Sequence, residues 1–335
     1  MTNPRTHITL EHVAQAAGVT PMTISRFFRT PQKVSQGTRE RISQAIEKLG
    51  YVADSTASRL AGKSRPMLAI VAPSLDLPYV PEIIEGVSEA ADTVNAALMV
   101  FETRFSLEMQ EKRIEAAIGW RPDGIIFVGD TVSDRSRRQI TASGIPFVEA
   151  WAASDTPVGV DIGLSHRAIA AQMTGALIGA GYQTVAFGVR RLGYRVEVER
   201  LDGYLDAVSS AGRTPLVVDI ADPGEHYKAG AMILRQALDL TSRPDALFLA
   251  GDVLAAGAIF ECHRLGLAAP LDLAICGFGD SPISASIVPS LTTVRLPTRE
   301  LGYAAVGHCI AGVPERVGLL APEPIERESA RLAFE

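Results

Sequence analysis

The chain has 335 residues, 47% of them hydrophobic, and a formal net charge of −6. That length allows two or three domains with a sizeable buried core, and its apolar runs, such as 68–73 and 124–128, are strand-length and too short to span a bilayer. Three scattered cysteines, Cys262, Cys276 and Cys309, exclude a disulfide framework or a cysteine metal cluster.

Residues 8–36, ITLEHVAQAAGVTPMTISRFFRTPQKVSQ, predict two short helices around a Gly-Val-Thr turn. Leu10, Val13, Ala14 and Ala17 recur at helical spacing, and Gly18 stops that helix. Thr20 is placed to cap a second helix with Pro21 at its first position. This helix carries Thr23, Ser25, Arg26 and Arg29 beside the apolar Ile24 and Phe27. A helix, a turn and a short basic helix make the helix-turn-helix layout, with a generic helical hairpin as the alternative. A third helix is expected from about Gln36 to Leu49, with Ser35 before it, Gly50 after it, and Ile42, Ala45, Ile46 and Leu49 on its core face. Residues 1–65 hold ten lysines and arginines against four acids, leaving 22 against 34 in the rest. The overall charge argues against nucleic acid, but a basic module on an acidic body presents one end to phosphates.

Residues 51–66 are mostly small and read as a tether closed by Pro66. Gly62-Lys63-Ser64 is not a phosphate loop, because Ala57 stands where the motif needs glycine. From Met67 onward strands alternate with helices: strands at 67–73, 96–103 and 124–129, helices at 81–95 and 106–120, and the same rhythm through LAICGFG. Such alternation predicts parallel sheets wrapped by helices. About 270 residues exceed one ordinary sheet of this type, so two similar subdomains are expected, with ligand bound in the cleft at the carboxyl ends of the strands.

Several motifs appear in one order: G-V-T-P-M-T-I-S-R at 18–26, V-S at 34–35, T-R-E at 38–40, L-G-Y at 49–51 and L-A-G-K at 60–63. Together they resemble the DNA-binding headpiece of the lactose-repressor family of bacterial regulators. The run TPMTISRFFRTPQKVS is most similar to its gluconate-repressor branch. The resemblance covers nearly the whole chain, strongly to Pro66 and more loosely beyond. It implies a helix-turn-helix headpiece over 1–54 and a hinge helix and linker over 55–66. An α/β body with the periplasmic-binding-protein fold follows, with an N-subdomain over 67–162 plus 296–320 and a C-subdomain over 163–295 plus 321–335. The chain stops without the leucine-heptad tail that some members use to tetramerise, so a homodimer is expected.

By the same resemblance Pro21, Met22 and Arg26 are the base-reading positions. Only Arg26 has the fork suited to guanine, and Met22 can offer apolar contact to a thymine methyl. Pro21 departs from the family, having no donor. Thr20, Thr23, Ser25 and Lys33 are candidate phosphate contacts, or plain caps and solvated side chains. Leu60 matches the leucine that wedges into the minor groove and kinks the duplex. In the body, Tyr79, Val80 and Trp151 match positions lining the effector cleft, although Trp151 equally fits core packing. Arg190, Arg191, Arg195 and Arg200 gather near one strand end. Guanidinium forks suit a carboxylate or phosphate, and Arg200 matches the family's effector-binding arginine, with Arg195 next. Gly251 and Gly279 stand where many members have Asn and Asp that hold sugar hydroxyls, leaving Asp252 and Asp280 as candidates or as helix caps.

Nothing forms an enzyme site: there is no G-x-S-x-G turn, and the six histidines lack metal spacing. The polar N-terminus lacks the apolar core of a signal peptide, which suits a cytoplasmic protein. The expected function is a ligand-responsive repressor binding a palindromic double-stranded operator as a dimer. Its expected effector is a sugar acid such as gluconate, with no cofactor, metal or membrane. A co-repressor-dependent or activating regulator, a sugar-binding receptor without a DNA role, and an enzyme on a nucleotide-binding fold are the alternatives.

Overall fold

The computed structural model describes residues 8–52, 65–191, 194–221, 225–312 and 321–334. Residues group into two compact units, Met1–Arg65 and Pro66–Glu335. Leu60 and the expected hinge helix lie outside the described residues.

The first unit is helical: α1 (Leu10–Ala17), α2 (Pro21–Arg29), a 3-10 turn (Pro31–Lys33) and α3 (Gln36–Leu49). Gly18 ends α1 in the left-handed conformation (φ +62°), which a residue without Cβ adopts at no steric cost. The next amide, Val19, then donates to the Ala14 carbonyl. Thr20 caps α2 by accepting from the Thr23 amide at 3.3 Å. Val13, Ala14, Ala17, Ile24, Val34, Ile42, Ala45 and Tyr51 form the core. This small set limits how much stability the unit can draw from burial.

The second unit contains two parallel sheets. The first is built from β1 (Met67–Ala72), β2 (Ala97–Glu102), β3 (Gly124–Phe127), β4 (Phe147–Glu149) and β5 (Val160–Asp161), in the order β2-β1-β3-β4-β5. β1 is an interior strand, pairing Val71 with Phe101 on one side and Phe127 on the other. Its alternate residues therefore enter two cores. Leu68, Ile70 and Ala72 join the larger one, while Ala69 and Val71 pack with α5 (Leu107–Gly119) and α6 (Asp134–Ser143). Helix α4 (Tyr79–Thr93) lies against α11 (Thr298–Ala311). Glycines permit that close crossing: a Cβ on Gly86 would sit 1.9 Å from the Arg299 carbonyl oxygen, and one on Gly302 2.0 Å from that of Ile83.

The second sheet has the order β7-β6-β8-β9, from β6 (Val185–Arg191), β7 (Leu216–Ala221), β8 (Ala246–Leu249) and β9 (Ala274–Cys276). Helix α7 (His166–Gly179) pairs with α8 (Arg195–Ser210), and α9 (His226–Leu238) with α10 (Asp252–Leu265). A separate antiparallel pair joins β10 (Thr293–Arg295) to β11 (Glu323–Ile325). The C-terminal segment returns to the second sheet, where Ser329 accepts from the Ile275 amide and donates its hydroxyl to the Ile275 carbonyl. The α/β reading holds, with the three-residue β10 and two-residue β5 added to the strands expected from sequence. The first long helix begins at Tyr79 rather than Pro81, because Val80, Ile83 and Val87 form one buried stripe at i, i+3 and i+7.

Candidate functional site

In the headpiece, α2 places Ile24 in the core, which turns Pro21, Met22 and Arg26 outward. Met22 is 71% exposed. Thr23 and Ser25 are half-buried and Lys33 is exposed on the 3-10 turn. The hydroxyl of Thr20 also meets that of Thr23 at 3.0 Å, so both take part in capping the helix. The outward face is thus apolar at its first turn and cationic at Arg26 and Arg29.

The second unit encloses a cavity of about 490 Å³ between its two sheets. Its walls come from the segments after the strands' carboxyl ends, where such folds place ligands. Tyr79 follows β1, Asp130 follows β3, Trp151 follows β4, Arg195 and Arg200 follow β6, Asp252 follows β8, and Phe278 follows β9. The structure therefore brings Tyr79, Trp151, Arg195, Arg200 and Asp252 to one cavity. Two expected residues are elsewhere. Val80 is fully buried in the core stripe of α4. Asp280 is held by Arg327 at 2.7 Å and Arg295 at 2.9 Å, which turns its carboxylate away from the cavity.

Trp151 is 2% exposed. Tyr79 stacks on it with centroids 3.7 Å apart and planes 3° from parallel, and His166 packs at 4.8 Å. Core packing and cavity lining are both true of this residue. Burial holds the Tyr79 phenol protonated, against the pull of the Arg200 charge. Arg200 lies in α8 with its Cζ 4.1 Å from the Phe278 ring centre. It donates to the Ala250 carbonyl, and its Nε donates to His166 Nδ1 at 3.3 Å. Burial draws its pKa down to about 10, so it stays cationic at neutral pH. Burial first, and then the Arg200 charge, hold His166 well below the ordinary histidine range and hence neutral. A buried cation thus rests on a neutral acceptor and an aromatic face.

Arg195 connects the two sheets. Its Nε donates to the Asp130 carbonyl at 2.8 Å, and its Nη1 to the Ala153 carbonyl at 2.8 Å and to Glu199. The Asp130 carboxylate accepts from the Arg195 amide at 2.6 Å and from Val196 at 3.4 Å, capping α8 from the opposite sheet. Phe105 meets Tyr194 at 4.7 Å beside this contact. Arg195 is therefore a bridge whose Nε and Nη1 have protein partners. Arg190, 6% exposed, lines the same wall with its Nη2 3.4 Å from His226 Nε2. Asp252 accepts from Thr293 Oγ1 and from the Ser281 amide, each at 2.6 Å, and burial raises its carboxyl.

Sequence reasoning missed Asp130, His166, Phe278 and Glu82. Asp130 carries the signal that marked Trp151, a position just past a buried strand. Glu82 is one turn inside a helix and reads there as a surface acid. Among the described residues no group of histidine, cysteine and carboxylate side chains could hold a metal ion, and no helix is long and apolar enough to cross a membrane.

Residues 9–54 match the family model described as bacterial regulatory proteins, lacI family, and residues 174–330 match the periplasmic binding protein-like domain. The chain is 32% identical to the HTH-type transcriptional regulator GntR of Escherichia coli K12, over 91% of each chain. It is 28% identical to the regulator of that name from Pseudomonas aeruginosa, over 98% of this chain and 93% of the other. A LacI-family transcriptional regulator from Silicibacter pomeroyi superposes with a TM-score of 0.86 at 26% identity, covering 96% and 99% of the two chains. The lac repressor dimer bound to operator and the anti-inducer ONPF shares the fold at a TM-score of 0.81 and 24% identity, covering 96% and 98%. With an exposed basic helix in one unit and a ligand-sized cavity in the other, the chain belongs to the lacI family of bacterial DNA-binding transcriptional regulators.

Proposed function

We propose that the protein is a cytoplasmic, non-enzymatic repressor that binds a palindromic operator as a homodimer and is released by a sugar acid bound between its two sheets. The observation that carries this reading is the cavity at the strand ends, lined by Arg190, Arg195 and Arg200. Guanidinium groups suit a carboxylate, and the headpiece resemblance to the gluconate-repressor branch favours an aldonic acid such as gluconate. In each headpiece Arg26 reads guanine in the major groove and Met22 offers apolar contact to a thymine methyl. Ser25, Thr23 and Lys33 position the helix on phosphates. Pro21 adds shape only, so specificity leans on Arg26 and on duplex deformation at the hinge, with Leu60 as the wedge. The subdomain division is the one drawn by the two sheets, with α11 joined to the first. Ligand acts by favouring one arrangement of these halves over another, because only a difference in affinity between two states moves their balance.

The test is a gel-shift titration on palindromic sequences upstream of the gene and its neighbours, at several salt concentrations, with and without gluconate. Affinity should fall steeply with salt, and gluconate should release the DNA. Tight calorimetric binding of a neutral sugar, with none of gluconate, would overturn the effector assignment.

A further inference from the structure

The two walls of the cavity offer different groups to a ligand. On the second-sheet side Gly251 and Gly279 line the space without side chains, and the volume over Gly251 is open. Asp252 beside them engages both carboxylate oxygens internally, with Thr293 and Ser281. On the first-sheet side Glu82, in the first turn of α4, lines the cavity half-buried. Thr298 Oγ1 donates to Glu82 Oε2, and among the described residues nothing donates to its Oε1. The charges acting most on Glu82 are the carboxylates of Asp280, Glu85 and Asp252, with no arginine among them. Arg200 instead acts on Tyr79, together with Asp130 and Glu197. The cavity thus has guanidinium groups on its second-sheet wall and an acceptor with an unused oxygen on its first-sheet wall.

We propose that Glu82, oriented by Thr298, is the hydroxyl-reading residue of the effector site, accepting from a distal hydroxyl of a polyhydroxy acid whose carboxylate lies among the arginines. This rests on the sugar-acid reading given above. A hydroxyl, with one proton to donate, matches a carboxylate with one unused oxygen.

Titration calorimetry of the full chain with D-gluconate and with 2-hydroxyhexanoate, which keeps the carboxylate and first hydroxyl but lacks the distal ones, tests the assignment. The unaltered protein should prefer gluconate. Glu82→Met should lose about tenfold or more on gluconate, the range for a hydrogen bond to a charged group, while its affinity for 2-hydroxyhexanoate stays unchanged. Glu82→Gln, which keeps the shape and a neutral acceptor, should fall between. Equal weakening of both acids by Glu82→Met would mark a structural role and overturn the assignment. So would unchanged gluconate binding by both variants, with the sugar-acid reading left standing. An unaltered protein that binds neither acid overturns both readings.

Discussion

Arginines sit in opposite settings in the two units. In the headpiece Arg26 and Arg29 stand exposed on α2, backed by a core of eight buried residues. Around the cavity Arg190 and Arg200 are 6% and 9% exposed, and Arg200 is fixed by a carbonyl, an imidazole and an aromatic ring. A solvated guanidinium can adjust to a phosphate or base edge and release counterions as it does so. A buried one is oriented before the ligand arrives, so less freedom is lost on binding. Phosphate recognition therefore needs little from the fold beneath it, whereas recognition of a small ligand needs a large rigid frame.

The sharpest way to break this contrast is to remove the small core. Ile42→Ala empties a fully buried position on α3 and should cost about 2–5 kcal/mol, most of what a domain of this size holds. Scanning calorimetry should show the headpiece transition lost and that of the body unmoved. A matching fall in the body would show that the two units do not fold independently. Next in size, Arg200→Met should weaken effector binding by at least tenfold, about 1.4 kcal/mol, while leaving operator affinity without effector unchanged. If operator affinity fell by the same factor, the division of labour between the units would be wrong.

His166 supplies a test that reads the buried frame directly. It stays neutral in the fold, while in the unfolded chain it takes a proton below its ordinary value of 6.5. The unfolded state then binds more protons, so His166's contribution to the body's stability is level above pH 6.5 and falls as the pH drops below it. The slope is at most about 1.4 kcal/mol per pH unit for one group. Glu82 and Asp252, whose carboxyls burial raises, act in the opposite direction at lower pH. His166→Gln keeps an acceptor for Arg200 without titrating. The difference between its urea-unfolding free energy and that of the unaltered protein should change between pH 6.5 and 5.5. A constant difference would mean that His166 protonates in the fold.

Legibility followed the range of the interactions involved. Helix α3 was readable to its ends, 36–49, because Gly50 and the apolar spacing are local signals. Buried strands such as β3 were readable because glycine and proline bound an apolar run. β5, at two residues, exists only through its pairing with β4. At the cavity, Trp151 lies just past a strand and could be placed there, whereas Arg200, inside α8, was placed by the family resemblance. The partner of Asp130 is 65 residues away and that of Glu82 is 216 away, distances over which no periodicity carries information. Asp280 shows the converse: its position after β9 looked right, but two arginines from the crossing segments claim its carboxylate.

The smallest expected effect isolates the contact that joins the sheets. Asp130 caps α8 across the cavity, so Asp130→Ala removes an acceptor from two helix-end amides. Loss of such a cap costs about 1 kcal/mol, which should appear as a lower melting temperature of the body alone. Asp130→Asn keeps the acceptor but not the charge facing the helix N-terminus, and should recover part of the loss. Because the cap spans the two sheets, the alanine variant should also shift the ligand-free protein towards a wider opening, seen as a larger radius of gyration in small-angle scattering. Added effector should restore the compact value, since a bound acid would again bridge the walls. If the melting temperature falls and the radius does not change, Asp130 serves only as a cap. The Phe105–Tyr194 contact, which also joins the two walls, would then be the interaction that holds the cavity closed.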